Sequence, residues 1–438
     1  MKAAKMIDTC PPIRARQALL AVLVATFGAA AGAQTSAAAM AQPAPGQLAT
    51  SSIAAPATPV GLEEYLRLVL SNQRSLAADR LQLGLARADS RTAAAFPNPS
   101  AHYYSKRDEK EWGVEQPVPI FGQRGMRIEN ARRGERTAAA NVQVSVATVM
   151  SDAAHAFNEL LVAQQRLAVW QRAREELDKA AVIVKGQIEA GTRSRYDGAR
   201  LDLQQAQMAM QVSKAQAALK DAASRVAALA DLPQWQPRVE GSLQAAGAPM
   251  SQGYPVLWER AQARLPALRA AQAELDQARQ KISLEEREAL PTPSFGVSRI
   301  RTRYDGSYNQ VGVNMEIPLF DRRQGAIERA KVEADQAELR RDAAVLAAQN
   351  TLQRALDQLQ IRRAAVVDYE KVGLAQIQPL HQMAQDGYKL GKSTILELID
   401  ALGSITDHRL EHLDLVKDML DAEWEVRQAS GNLPDVGP

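Results

Sequence analysis

The 438-residue chain has a single cysteine, Cys10. It lies in an N-terminal segment that reads as a removable signal, so the mature chain has neither a disulfide nor a thiolate metal site. Aromatic residues make up only 5% of the sequence, although hydrophobic residues reach 46%, many of them alanine. That composition suits long helices with thin interfaces better than one thick core. Beyond the N-terminus no stretch reaches the 18 or so consecutive apolar residues of a spanning helix. No Gly-rich phosphate loop, nucleophile elbow or zinc-ligand spacing occurs, and nothing in the sequence calls for an enzyme or a cofactor.

An excess of charge of one sign is also missing. Lys2, Lys5, Arg14 and Arg16 precede an apolar run from Ala18 to Gly32, and Ala31-Gly32-Ala33 fits a cleavage site with mature start near Gln34. The run is about 15 residues, short of the roughly 20 of a membrane anchor. Cys10 precedes the run and is not placed as a lipoprotein acceptor. Removing residues 1–33 takes four of the 53 Lys/Arg and one of the 50 Asp/Glu, leaving 49 of each. A neutral mature chain gives no basis for nucleic-acid binding. Residues 34–60, rich in Ala, Pro, Ser, Thr and Gln, read as a flexible leader.

What the chain does have is a duplication. Pro97-Asn98-Pro99-Ser100 recurs as Pro291-Thr292-Pro293-Ser294. The segment Gln116 to Gly122 recurs as Met315 to Asp321, and Gly191-Thr192-Arg193-Ser194 as Gly391-Lys392-Ser393-Thr394. Repeat one spans 61–232, a connection 233–253, repeat two 254–431, and a tail 432–438. Each repeat opens with a helix (61–95 and 254–289) stopped by a proline pair. Period-two alternation follows, as in Val311, Val313, Met315 and Ile317, and predicts strands over 98–106, 110–118, 293–303 and 308–317. Asp305-Gly306 suits a hairpin turn. Each strand is long enough to cross a bilayer at a tilt, and nine of the chain's 20 aromatics lie in 96–121 and 291–320. Aromatics near strand ends suit membrane interfaces.

After the strands, Gly125 to Ala190 predicts a helix roughly 100 Å long at 1.5 Å per residue. Val146, Val149, Ala153, Ala156, Leu160, Ala163, Leu167 and Trp170 mark a coiled-coil seam, resumed at Leu177, Ala181, Val184 and Ile188. Gly191 ends it, and a return helix covers about 195–230. Repeat two copies this over 325–387 and 395–429. The fold class is therefore mainly α, long antiparallel coiled coil, with a small transmembrane β part of four strands. Four strands cannot close, and lipid penalises each unpaired edge group by several kcal/mol. Eight strands would fill with their own side chains, so three copies, with twelve strands, make the smallest open conduit.

The duplicated hairpins with their Pro-x-Pro-Ser entries, the exit Gln116-Pro117-Val118-Pro119-Ile120-Phe121-Gly122-Gln123-Arg124-Gly125, and the stretch Gly387 to Ala401 resemble the TolC-type outer membrane efflux proteins. The exit motif is closest to the heavy-metal cation branch. The resemblance covers about 61–433. It implies a homotrimer with a twelve-stranded barrel in outer membrane lipid and a periplasmic α-barrel. It further implies a periplasmic adaptor protein and an inner-membrane RND transporter as partners. An exit duct for protein secretion or drug efflux, or a soluble periplasmic scaffold or adaptor, is the alternative.

By matching position the resemblance implies that Glu397 and Asp400 narrow the pore entrance, six carboxylates in a trimer. Glu397 also completes the capping box Thr394-Ile395-Leu396-Glu397. Asp197 and Tyr388 match a closed-state latch, but the family's arginine is replaced by Ser393; Ser194 to Asp197 is also box-like. The tips Gly191, Ser194, Gly391 and Thr394 match the adaptor-contact region. His408 and His412 stand four apart on a helix, without an evident third ligand, and read as coiled-coil polar positions rather than a metal site. Arg124, Arg127, Arg132, Arg133 and Arg136 read as a solvated junction. The mass of the chain recovered from cell envelopes is expected to match a start at Gln34; an intact Met1 would contradict the signal.

Overall fold

The computed structural model describes residues 56, 58–243, 253–390 and 392–435. The signal, most of the leader, part of the connection, Gly391 and the last three residues lie outside the described residues. In chain order the elements are α1 (Leu62–Asn72), α2 (Arg74–Ala94), β1 (Ser100–Ser105), β2 (Glu109–Pro117), α3 (Gln123–Glu189) and α4 (Arg195–Leu229). The second repeat follows as α5 (Tyr254–Arg264), α6 (Pro266–Glu288), β3 (Pro293–Thr302), β4 (Gly306–Met315), α7 (Gln324–Tyr369), a π-helical turn (Glu370–Leu374), α8 (Ala375–Lys389) and α9 (Ile395–Ala429).

The duplication is realised element by element, with corrections. The opening helix of each repeat is two helices. Leu265 leaves the helical region (φ −63°, ψ 119°) because it precedes Pro266, whose ring excludes the α conformation there. Gln73 adopts nearly the same angles (φ −64°, ψ 115°) without a proline. Here the next amide, Arg74 N–H, donates to the Asp231 carboxylate at 2.6 Å. Repeat two needs no such acceptor, since Pro266 has no N–H, and Gly431 occupies the position matching Asp231. Both Asp231 and Gly431 have positive φ (54° and 68°), and a Cβ on Gly431 would lie 3.1 Å from Arg264 Cβ. Donor and acceptor are present together in one repeat and absent together in the other.

A second correction concerns the entry to the long helices. Gly122 and Arg323 carry the left-handed conformation (φ 84° and 57°), so Gly122 corresponds to Arg323 rather than to Asp321. The arginine tolerates that strain while its guanidinium holds Glu285 at 2.7 Å. Gln123 is fully buried and accepts from Phe121 N–H (3.1 Å) while donating to the Leu290 carbonyl (3.3 Å). It ties the exit of one hairpin to the entry of the other. A third correction is that the helix read over 325–387 is interrupted by the π turn, five residues before Pro379. Pro379 cannot bond the Ala375 carbonyl, so two breaks in the hydrogen-bond ladder fall close together.

The strands begin or end up to two residues from their expected limits and form one sheet of order β1-β2-β3-β4, antiparallel throughout. Gly306 (φ 81°) closes the second hairpin behind a three-residue loop, the arrangement in which a left-handed residue matches strand twist. The seam predicted for α3 is buried as expected: Ala153 and Leu160 are inaccessible, and Leu177, Ala181 and Val184 pack with α4, α8 and α9 near the tips. Two equivalent cores flank the middle, one of α1, α3 and α4, the other of α5, α7 and α9. Val60, the last residue of the expected leader, is buried and pairs with Val239 of the connection.

A polar knot joins α3 to α9. Asp421 accepts from His155 (3.0 Å), Asn158 (2.9 Å) and Lys417 (3.0 Å). Burial alone would raise the Asp421 carboxyl, but these three donors hold it below its ordinary 3.8. The bond to Asp421 lifts His155 above 6.5 against the cost of burial. The depressed carboxyl stabilises the fold fully above 3.8 and loses that as pH falls through its lowered value. The raised imidazole contributes fully below 6.5 and loses it as pH rises through its raised value. The loss of melting temperature on His155→Gln is therefore expected to be largest near pH 5 and to shrink by pH 9; a difference that grows with pH would contradict the pairing.

Candidate pore entrance and membrane face

The register of the sheet sorts its side chains onto two faces. Directly paired residues share a face. One face carries Ala101-Val114-Val297-Val311 in one cross-strand row, Tyr103-Trp112-Arg299-Asn309 in the next, and Gln116-Phe295-Val313 in a third. Trp112, Val297, Val311 and Val313 are more than half exposed, so these apolar side chains have no cover from the described residues. The opposite face carries His102-Gly113-Ser298-Gln310 and Ser100-Glu115-Gly296-Gly312. Gly113 is required there, because a Cβ would come within 2.8 Å of His102 and Ser298. The second face also carries the row Tyr104-Glu111-Ile300-Tyr308, so the first face is the more apolar without being wholly so; a more apolar face opposite a more polar one is the pattern of a strand between lipid and a wet lumen. Ile317, Leu319 and Phe320 continue the apolar surface toward the helices, Phe320 at 92% exposure.

At the junction with the helices Arg124, Arg127 and Arg133 are engaged, contrary to the solvated reading, while Arg132 and Arg136 are exposed as that reading has them. Arg127 makes a two-pronged contact with Glu288 (2.5 and 2.9 Å). Arg124 donates to the Ala94 carbonyl at 2.9 Å and lies over the Phe96 ring at 4.5 Å. Arg133 reaches the Asp276 carbonyl at 3.1 Å. Among the described residues no helix is long and apolar enough to cross a membrane.

At the far end the two tips repeat one another. Ser194 and Asp197 form a capping box, and so do Thr394 and Glu397. The Thr394 N–H donates to Glu397 at 2.7 Å, and Glu397 N–H donates back to the Thr394 hydroxyl at 3.2 Å. Glu397 therefore caps its own helix. Ile395, Leu398, Ile399 and Leu402 point into the tip core, which leaves Glu397 and Asp400 together on the exposed face of α9. Gly191 has φ 70° and turns the first tip; Gly391 lies outside the described residues.

Tyr388 is buried at 2% exposure. Its hydroxyl donates to Gln187 at 3.1 Å, and the Arg193 guanidinium lies over its ring at 5.4 Å. Burial raises the Tyr388 pKa, Arg193 lowers it and Asp197 raises it. The structure thus brings Tyr388 to the tip of the first repeat, but its direct partners are Gln187 and Arg193, while Asp197 is engaged by Ser194. The cation nearest Tyr388 is thus Arg193, from the tip of the first repeat. Sequence reading missed Arg193 and Gln187, although Arg193 sits inside the repeated Gly-Thr-Arg-Ser motif. Among the described residues no three His, Cys, Asp or Glu side chains are gathered so as to hold a metal.

The four-stranded sheet is joined directly to long coiled-coil hairpins. Residues 257–432 match the outer membrane efflux protein family. The match covers the second repeat of the chain. The cobalt-zinc-cadmium resistance protein CzcC of Cupriavidus metallidurans is 24% identical over 384 residues, covering 86% of this chain and 91% of that protein. The nickel-cobalt-cadmium resistance protein NccC of Alcaligenes xylosoxydans xylosoxydans is 29% identical over 252 residues, 55% of this chain and 54% of that one. These relatives belong to the heavy-metal branch that the exit motif resembles. The fold is that of TolC-like channels. CusC superposes with a TM-score of 0.70 at 18% identity over 84% of this chain and 91% of that chain. The Campylobacter jejuni CmeC outer membrane channel gives 0.71 at 14% over 84% and 85%.

Arg193→Ala and Tyr388→Phe are each expected to lower the protection of α8 amides from hydrogen exchange by several-fold, while amides of α6 stay unchanged. Equal exchange in wild type and both variants would show that neither contact holds the tips together.

Proposed function

We propose that the chain is the outer membrane exit duct of a tripartite efflux system. Three copies form the conduit, which does no chemistry and draws its energy from an inner-membrane RND pump joined to it by a periplasmic adaptor. The observation that carries this reading is the two-faced, four-stranded open sheet continued by coiled-coil hairpins. A surface apolar on one side and polar on the other is of use at a lipid boundary, and its open edges require further copies. The metal-resistance relatives support heavy-metal divalent cations as the exported solute.

Within this reading Glu397 and Asp400 line the periplasmic entrance. At i and i+3 on an exposed helix face, they give a threefold ring of six carboxylates, which favours cations and repels anions. Gly191, Ser194, Gly391 and Thr394 lie at the tips where an adaptor would dock. The Tyr388, Gln187 and Arg193 contact, with Asp197 nearby, acts as the closed-state latch.

In planar bilayers the purified protein is expected to conduct ions with preference for cations, and Glu397→Ala/Asp400→Ala to reduce that preference several-fold while raising leak conductance. Unchanged selectivity and conductance would remove the two acids from the entrance. Deleting the gene is expected to raise cellular sensitivity to cobalt, zinc or cadmium, and equal tolerance in the deletion strain would contradict metal export.

A further inference from the structure

Next to the sheet the helices follow the order of the strands they carry. α2 packs on α3, α3 on α6, and α6 on the first half of α7. The outer helices α2 and α7 are therefore those joined to the edge strands β1 and β4. Each keeps a stripe that the described residues do not cover. On α2, Ala78, Leu81, Leu85, Ala88 and Thr92 recur at steps of three and four, and all are exposed, Leu81 at 52% and Leu85 at 61%. On α7, Val332, Gln336, Leu339, Ala343 and Leu346 recur in the same way, with Leu339 at 70%. This is the spacing of a coiled-coil seam. Both stripes lie opposite the face already packed within the chain, marked by buried Leu76 on α2 and by buried Ala330, Ala334 and Ala337 on α7.

Contacts across the layer match heights on its two edges. Arg124 meets the Ala94 carbonyl where α2 and α3 reach the sheet, and an equal number of residues further down each helix stand Leu81 and Thr137. The Thr137 hydroxyl donates to the Ala273 carbonyl, and the adjacent Glu274 meets Arg340. Leu81 on one edge is thus at the height of Leu339 on the other. Because α2 runs toward the sheet and α7 away from it, Arg80, Arg87 and Arg91 fall within about one turn of the heights of Asp342, Asp335 and Glu328. The arginines follow one flank of the α2 stripe and the acids one flank of the α7 stripe. When the two stripes face each other antiparallel, these flanks lie on the same side. Among the described residues Arg80, Arg87, Arg91, Asp335 and Glu328 make no ion pair, and Asp342 is held by Arg341 at 3.1 Å.

We propose that these two stripes are the halves of a recognition seam between copies of this chain. α2 of one copy packs antiparallel on α7 of the next, with Arg80, Arg87 and Arg91 set against Asp342, Asp335 and Glu328. The inference rests on the three-copy reading above and gives that assembly its helical contact and register. A second copy is the occupant because both halves, apolar and oppositely charged, lie on opposite edges of one chain. Such a head-to-tail contact closes into a ring. The same order brings β4 of one copy beside β1 of the next in the antiparallel sense used within the chain. Burial of the stripes supplies the attraction, while the exposed ion pairs add little energy and reject other registers.

The chain's one cysteine, Cys10, lies in the signal, so introduced cysteines report alone. Full-length protein carrying Leu81→Cys/Leu339→Cys would be oxidised in membranes and run on non-reducing gels. It would be compared with Leu81→Cys alone and with Leu81→Cys/Leu346→Cys, which is displaced by about two turns. The first is expected to give a covalent ladder up to three chains, the second single chains, and the third a several-fold weaker ladder. In the first background Arg80→Glu/Arg87→Glu is expected to lower the crosslinked fraction about twofold, and adding Asp335→Arg/Asp342→Arg to restore it. All four charged positions are exposed. Absence of a ladder from a particle whose native mass is three chains would overturn the seam and leave the channel reading standing, whereas a particle of one chain would overturn both. Equal ladders from the Leu339 and Leu346 variants, or a charge exchange without loss and restoration, would overturn the register.

Discussion

The structure depends on unpaired backbone at two sheet edges. Within the chain β1 and β4 each bond a neighbour on one side only. In water such an edge is tolerated; in hydrocarbon each unbonded N–H or C=O costs several kcal/mol. Local fixes such as a charge or a bulge do not help in lipid, where closure alone satisfies every group. The more apolar face is likewise left uncovered by the described residues, and on the proposed reading it meets lipid. On the proposed reading the sheet is a fragment completed by further copies, and the helices behind it inherit the same requirement.

The junction and the tips show how the chain positions that fragment. Gln123 binds the backbone of both hairpins, and the Arg127–Glu288 and Arg323–Glu285 pairs clamp α3, α6 and α7 immediately below the sheet. These ion pairs are half-buried and two-pronged in one case, which makes them more useful for fixing geometry than for stability. At the opposite end the capping boxes start the return helices at equivalent points in both repeats. The acids of those boxes do local work first: Glu397 satisfies the Thr394 amide whatever else its charge does.

Much of this was legible in the sequence because the duplication doubled weak signals. One Pro-x-Pro-Ser is uninformative, but two at a fixed distance, each followed by alternating residues and a long alanine-rich seam, define a repeat. The Ala153, Leu160 and Val184 seam was readable because burial on a long helix recurs at fixed spacing. What escaped was set by contacts between distant residues. The break at Gln73 depends on Asp231, about 160 residues later, and no local signal marks it. The comparable break at Leu265 was within reach, since Pro266 stands beside it. The π turn leaves the composition of a helix unchanged and shows only in the hydrogen-bond ladder. Arg193 and Gln187 were invisible as partners of Tyr388 because the resemblance directed attention to Asp197 and Ser393. The histidine pair was readable, but the contact of His412 with Glu370 at 3.0 Å was not.

If the proposed reading holds, the duct is an assembly first and a fold second. The single measurement that bears most directly on it is the mass of the intact mature particle, released from membranes in mild detergent and read by native mass spectrometry. Three chains per particle is the predicted result. A particle that stays a single chain, its four strands still extended, would contradict the account at its root.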